Sequence, residues 1–181
     1  DLYAIGKTGV AAGADIRIWR VTTASVDDPG AFATYFNSTN DADTDDIPAM
    51  LFHRQTESGS IKTYLYYTGN PAAGGLQLYR LGDISVGGTT ESTTDTGATS
   101  MLMTGITTTL NTEVPRPRIE LHGDSYFGHG RFITKISDTG VFTEKAFTLP
   151  QGWYCVDFAG VSDTMWILAA STSSRHVVNS P

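Results

Sequence analysis

The chain reads as an all-β protein assembled from short antiparallel sheets. Three observations predict that class. Short runs of roughly five to eight residues alternate apolar and polar positions, are rich in Tyr, Trp, Ile, Val and Thr, and are separated by Gly, Asp, Asn and Ser. Helix signals are poor, because windows with apolar residues three and four apart are interrupted by Gly, Pro or clustered Thr. Thr is the commonest residue, and charged residues make up 17% of the 181, below the quarter or so usual in globular domains.

In chain order, 2–6 (LYAIG) and 16–21 (IRIWRV) read as two strands joined by a Gly- and Ala-rich link. Around 29–36 (PGAFATYF) the pattern permits at most two short helical turns, capped by Asp27 or Asp28. The stretch 38–46 (STNDADTDD) is a polar, acidic connector. Strands follow at 49–54 (AMLFHR) and 65–69 (LYYTG), then, after a link ending in Gly74-Gly75, at 76–81 (LQLYRL). Residues 86–112 are dominated by Thr, Ser and Gly around an apolar island at Met101-Leu102-Met103, and read as an exposed insertion or a weakly paired edge ribbon. Strands resume at 118–122 (RIELH), 125–128 (SYFG), 131–136 (RFITKI), 153–158 (WYCVDF), 164–169 (TMWILA) and 175–178 (RHVV).

These strands recur as a unit. Leu2-Tyr3-Ala4-Ile5-Gly6 leading to Ile18-Trp19-Arg20-Val21 matches Leu65-Tyr66-Tyr67-Thr68-Gly69 leading to Leu78-Tyr79-Arg80-Leu81, at an offset of about 60 residues. Ser125-Tyr126-Phe127-Gly128 leads to a looser copy, with Lys135 where the arginine stood. A full unit is strand, tight turn, strand, small-residue link, strand, and the first unit lacks its leading strands. Such a sheet cannot bury both faces alone and has to stack on its neighbours. The pattern resembles the blades of a β-propeller over most of the chain, and 152–171 looks like two central blade strands. The resemblance implies a propeller-like array of short antiparallel sheets over 1–181, as a single all-β domain or a fragment of a larger ring; evenly spaced short strands fit a β-sandwich as well.

Several constellations could carry chemistry. Asp41, Asp43 and Asp45 have the alternate spacing that wraps a hard cation, and resemble the calcium loop of integrin-like propeller repeats, D-x-D-x-D-G-x-x-D. Asp46 stands in place of the glycine and Ala49 in place of the last carboxylate, so a solvated acidic turn is the plainer reading. Gly123-Asp124-Ser125 resembles the first block of GDS-type esterases, with Ser125 as nucleophile, but the segment 173–176 (SSRH) lacks the aspartate of that family's D-x-x-H block and helices for its α/β fold are wanting. His122, Asp124 and His129 raise a metal question without matching a zinc spacing. Asp83, Glu91, Glu113, Glu120 and Asp157 are formally available as a glycosidase pair, and 137–142 (SDTGVF) is a degenerate echo of the sialidase-type turn, more simply a hairpin turn.

The most regular feature is the aromatic-arginine pair, Trp19-Arg20 and Tyr79-Arg80. It reads either as a stacking platform for a sugar or partner, or as core packing, with the aromatic between sheets and the arginine on the other face reaching solvent. Asn37-Ser38-Thr39 fits the glycosylation sequon, which matters only in a secreted eukaryotic protein.

Composition bounds the partners. A net charge of −7 with no basic run argues against nucleic acid and anionic membrane surfaces. No apolar run approaches the eighteen or so residues of a membrane helix, and the single thiol, Cys155, excludes an internal disulfide framework. The chain opens on Asp1-Leu2 inside an apolar alternation, which reads as a processed or truncated start. The expectation is a structural or attachment module and not an enzyme, located in a virion or extracellular assembly as its composition resembles. It would self-associate or bind neighbouring subunits, with loops meeting a glycan or protein, and would need no cofactor unless the acidic loop holds Ca2+. The alternatives are a carbohydrate-active or calcium-dependent adhesion propeller, and an esterase.

Overall fold

The computed structural model describes residues 1–7, 14–22, 32–42, 49–69, 77–88, 91–92 and 117–171. Among them the protein is all-β, with four small antiparallel sheets, none of them closed on itself. The first sheet is β1 (Leu2–Lys7), β2 (Ala14–Val21) and β3 (Ala33–Ala42). The second is β4 (Met50–Glu57), β5 (Ser60–Gly69), β6 (Gln77–Leu81) and the short β7 (Glu91–Ser92). The third is β8 (Arg118–Leu121), β9 (Asp124–His129), β10 (Phe132–Ile136) and β11 (Phe142–Thr148). The fourth pairs β12 (Trp153–Val161) with β13 (Thr164–Ser171). In each sheet spatial order follows chain order, so each is a meander of neighbouring strands.

Tight turns set the register. Ser58-Gly59, His122-Gly123 and Ser162-Asp163 each join two strands, and Ser58, His122 and Ser162 all adopt positive φ (51°, 54° and 49°), as a two-residue hairpin of the right twist requires. The sequence repeat survives as a repeat of register. Tyr3 pairs with Arg20, Tyr66 with Arg80 and Tyr126 with Lys135 across adjacent strands. One step along, Ala4 pairs with Trp19 and Tyr67 with Tyr79. Strand alternation then divides each of the first three sheets into a front, carrying the tyrosine-cation pair, and a back.

The fronts and backs meet in order. The front of the first sheet (Ile16, Ile18, with Tyr3, Ile5 and Phe36) packs on the back of the second (Leu65, Tyr67, Tyr79, Leu81). The front of the second (Leu51, Tyr64, Tyr66, Leu78) packs on Phe127 from the back of the third. The front of the third meets the fourth, where a Cβ on Gly128 would lie 3.0 Å from Cys155 Sγ and one on Gly160 would lie 3.0 Å from Leu121 Cδ1. The second sheet is covered on both sides, which is why Leu78, Tyr79, Arg80 and Leu81 are buried in succession. Each fully buried aliphatic side chain of such a core contributes about 1.5–3 kcal/mol.

Two local expectations are corrected. Ala33 to Phe36, read as part of a helical turn, belong to β3, because Thr34 and Phe36 pair with β2 and the rings of Tyr35 and Phe36 pack against Tyr3 and Tyr67. Burial of those rings outweighs the weak local preference. Strand β11 was not anticipated, although Phe142-Thr143-Glu144-Lys145-Ala146 alternates half-buried and exposed positions. The stretch before it is the expected hairpin turn, with Gly140 at φ 81° and its amide donating to Ser137 O at 2.8 Å. Within 86–112, Glu91–Ser92 form an edge strand beside β6 and a 3₁₀ turn at Ile84–Val86 runs into Gly87-Gly88; residues 93–112 lie outside the described residues.

Candidate functional site

The densest chemistry sits between the second and third sheets. His53 projects from the front of β4 in the alternation Leu51, His53, Gln55, a polar residue in a core position. Ser125 is the second residue after the His122-Gly123 turn, on the back of β9. The Ser125 hydroxyl lies 2.8 Å from His53 Nδ1, and His53 Nε2 lies 2.8 Å from the Ser137 carbonyl oxygen. A carbonyl only accepts, so Nε2 carries the proton, Nδ1 is the free acceptor, and Ser125 Oγ donates to it. Burial holds the His53 pKa below the ordinary imidazole value; the bond to Ser137 and the carboxylates of Glu120, Asp124 and Asp138 only partly oppose it.

This geometry puts a general base on a serine hydroxyl, which is the first half of an acyl-transfer site. Both side chains have 0% exposure, however, so neither atom meets a substrate in this conformation. The pair acts as a polar joint inside the stack. Around it the turn after β10 clamps onto β4: Thr56 N donates to Asp138 O at 2.8 Å, and Gly140 lies so close to Gln55 that a Cβ there would sit 2.6 Å from its Oε1. Asp124 holds the other side, accepting from Asp138 N at 3.1 Å and ion-pairing with Lys135. The esterase-like tripeptide is thus divided between a turn glycine, a structural carboxylate and a sealed serine, and the SSRH segment lies outside the described residues.

The aromatic-arginine residues occupy equivalent registers in unlike surroundings. Tyr79 is 2% exposed and stacks on Tyr67 with centroids 5.3 Å apart. Arg80, on the opposite face, does not reach solvent as alternation suggested. It is 6% exposed with its guanidinium 4.3 Å from the Tyr64 ring centroid, because the third sheet covers that face. In the first sheet the same two faces have different neighbours. Arg20 faces the second sheet, over Tyr35 at 5.1 Å and within 3.9 Å of Asp1, while the half-buried Trp19 lies on the back against Gly6.

Other candidates are not brought together. Asp41 is in β3, paired with Asp15, while Asp43 and Asp45 lie outside the described residues. His122 is exposed in its turn, 2.9 Å from Ser162 O and 3.0 Å from Asp163 Oδ1, whereas His129 is buried against Phe127 at the other end of β9. A six-residue strand, roughly 17 Å, parts them. Asp83 caps the 3₁₀ turn, accepting from Ser85 N at 3.0 Å. Among the described residues no group of three or more His, Cys, Asp and Glu is placed to hold a metal ion. Cys155 is buried between the third and fourth sheets, where desolvation pushes its pKa up to about 12 and leaves an inert thiol.

Sequence reasoning singled out Ser125 but missed its partner. The available signal was His53 in an otherwise apolar alternation. Comparison with protein-family models, curated proteins and solved structures found no match.

Proposed function

We propose that the chain is a non-enzymatic structural or attachment module, a propeller-like array of stacked sheets whose outer faces serve assembly and whose loops meet a glycan or protein at the surface of a virion or extracellular particle. The observation that carries the reading is the use made of the reactive side chains. Ser125, His53 and Arg80 are each at most 6% exposed and act as joints between sheets, so the polar chemistry that could have built a cleft is committed to cohesion. The meander order of each sheet and the repeated register support the propeller-like arrangement. Thr-rich loops and few charges suit a durable exterior surface, an argument from composition.

The test joins a glycan array with two assays for catalysis. The reading expects retention of a glycan or surface protein with no release of reducing sugar and no fluorophosphonate adduct on Ser125. Stoichiometric labelling of Ser125, or turnover of a bound saccharide, would replace it with a hydrolase.

A further inference from the structure

Among the described residues every sheet-to-sheet contact has one polarity, front upon back. A stack of that kind ends in two unlike faces. At the leading end, the back of the first sheet presents Leu2, 47% exposed, with Ala4 and the half-buried Trp19, beside a buried Val21 opposite Leu2. At the trailing end, counting from the turn as in the second and third sheets puts Trp166 and Leu168 on the front of the fourth, with Val161 beside them. These three are 63%, 62% and 63% exposed, whereas Ile18, Leu78 and Ile133 on the preceding fronts are at 0%.

We propose that the front of the fourth sheet docks on the back of the first sheet of a second copy of this chain. The stack then continues head to tail across the chain boundary. The occupant follows from continuity, since a sheet back covers each of the three preceding fronts. Contact between unlike faces is heterologous, so it closes into a ring when the rotation permits and otherwise runs on as a filament. The proposal rests on the reading of the chain as an assembly module and names the surfaces that module uses.

Sedimentation velocity on the full chain between about 1 and 200 μM tests it, a range that spans micromolar affinity. The weight-average mass should rise with concentration. Trp166→Glu and Leu2→Glu should each weaken association at least ~10-fold, and an equimolar mixture of the two should form a dimer and nothing larger, since one keeps the leading face and the other the trailing face. Leu168→Lys replaces Trp166→Glu if circular dichroism shows that variant unfolded. A chain that stays monomeric throughout overturns the proposal, as does a Leu2→Glu variant that still associates alone, the mark of front-to-front pairing. Hydrolase activity in the preceding assays would sink the module reading while leaving this sedimentation result intact. A monomeric, inactive chain would sink the docking and leave that reading standing.

Discussion

At the scale of single residues, the joint between His53 and Ser125 gives the sharpest expectations. Ser125→Ala leaves His53 Nδ1 buried without its donor, which costs about 1–3 kcal/mol and is read as a lowered denaturant midpoint at neutral pH. The joint also makes stability depend on pH. Native His53 has its pKa held below the value of 6.5 expected when unfolded. Above that value both states carry neutral imidazole, and the joint's contribution is whole. As pH falls below it the unfolded chain takes up a proton that native His53 resists, so stability declines toward the native pKa. The melting temperature should therefore drop between about pH 7 and pH 5, and His53→Gln should remove that part of the slope. Cys155 offers a second check. As a buried thiol with its pKa near 12, it should resist iodoacetamide in the native protein and react once the chain is unfolded in urea. Ser125 was conspicuous in the sequence because it sits in a recognisable tripeptide. His53 was not, since the two are 72 residues apart and meet only through the way one sheet lies on another.

At the scale of strands and turns, local chemistry was legible wherever it alone decided the outcome. The turns after β4, β8 and β12, and the equivalence of Trp19 with Tyr79, follow from two-residue hairpins and a repeated Tyr-to-cation pairing. The strand at Ala33–Ala42 was illegible because its identity is set by rings buried against another sheet. Arg80 was misplaced for the same reason: alternation fixes which face a side chain takes, while the neighbouring sheet decides whether that face is wet. Close approach between elements gives a further expectation. A methyl group on Gly128 would lie 2.8 Å from Pro117 Cγ and 3.0 Å from Cys155 Sγ, and the proline ring cannot swing aside. Gly128→Ala should therefore destabilise by about 1–3 kcal/mol. It should also speed exchange of the Cys155 amide, which bonds across to Gly130 O.

At the scale of the whole molecule, each small sheet gains its stability from the next. A two-stranded ribbon such as β12–β13 is marginal in water, and here it is held by its back lying on the third sheet. The stack also explains how edge strands are managed. In an isolated sheet the outward amides of β4 and β12 would be open to water and to pairing with other chains. Here Thr56 N–H reaches Asp138 O at 2.8 Å, and Cys155 N–H reaches Gly130 O at 2.7 Å, each bond crossing from one sheet to another. Residue-resolved hydrogen exchange under native conditions reads these two amides directly. Face-on-face stacking of the sheets predicts protection of both close to that of the central strand β5; exchange of either at the rate of a solvent-exposed edge amide would contradict it.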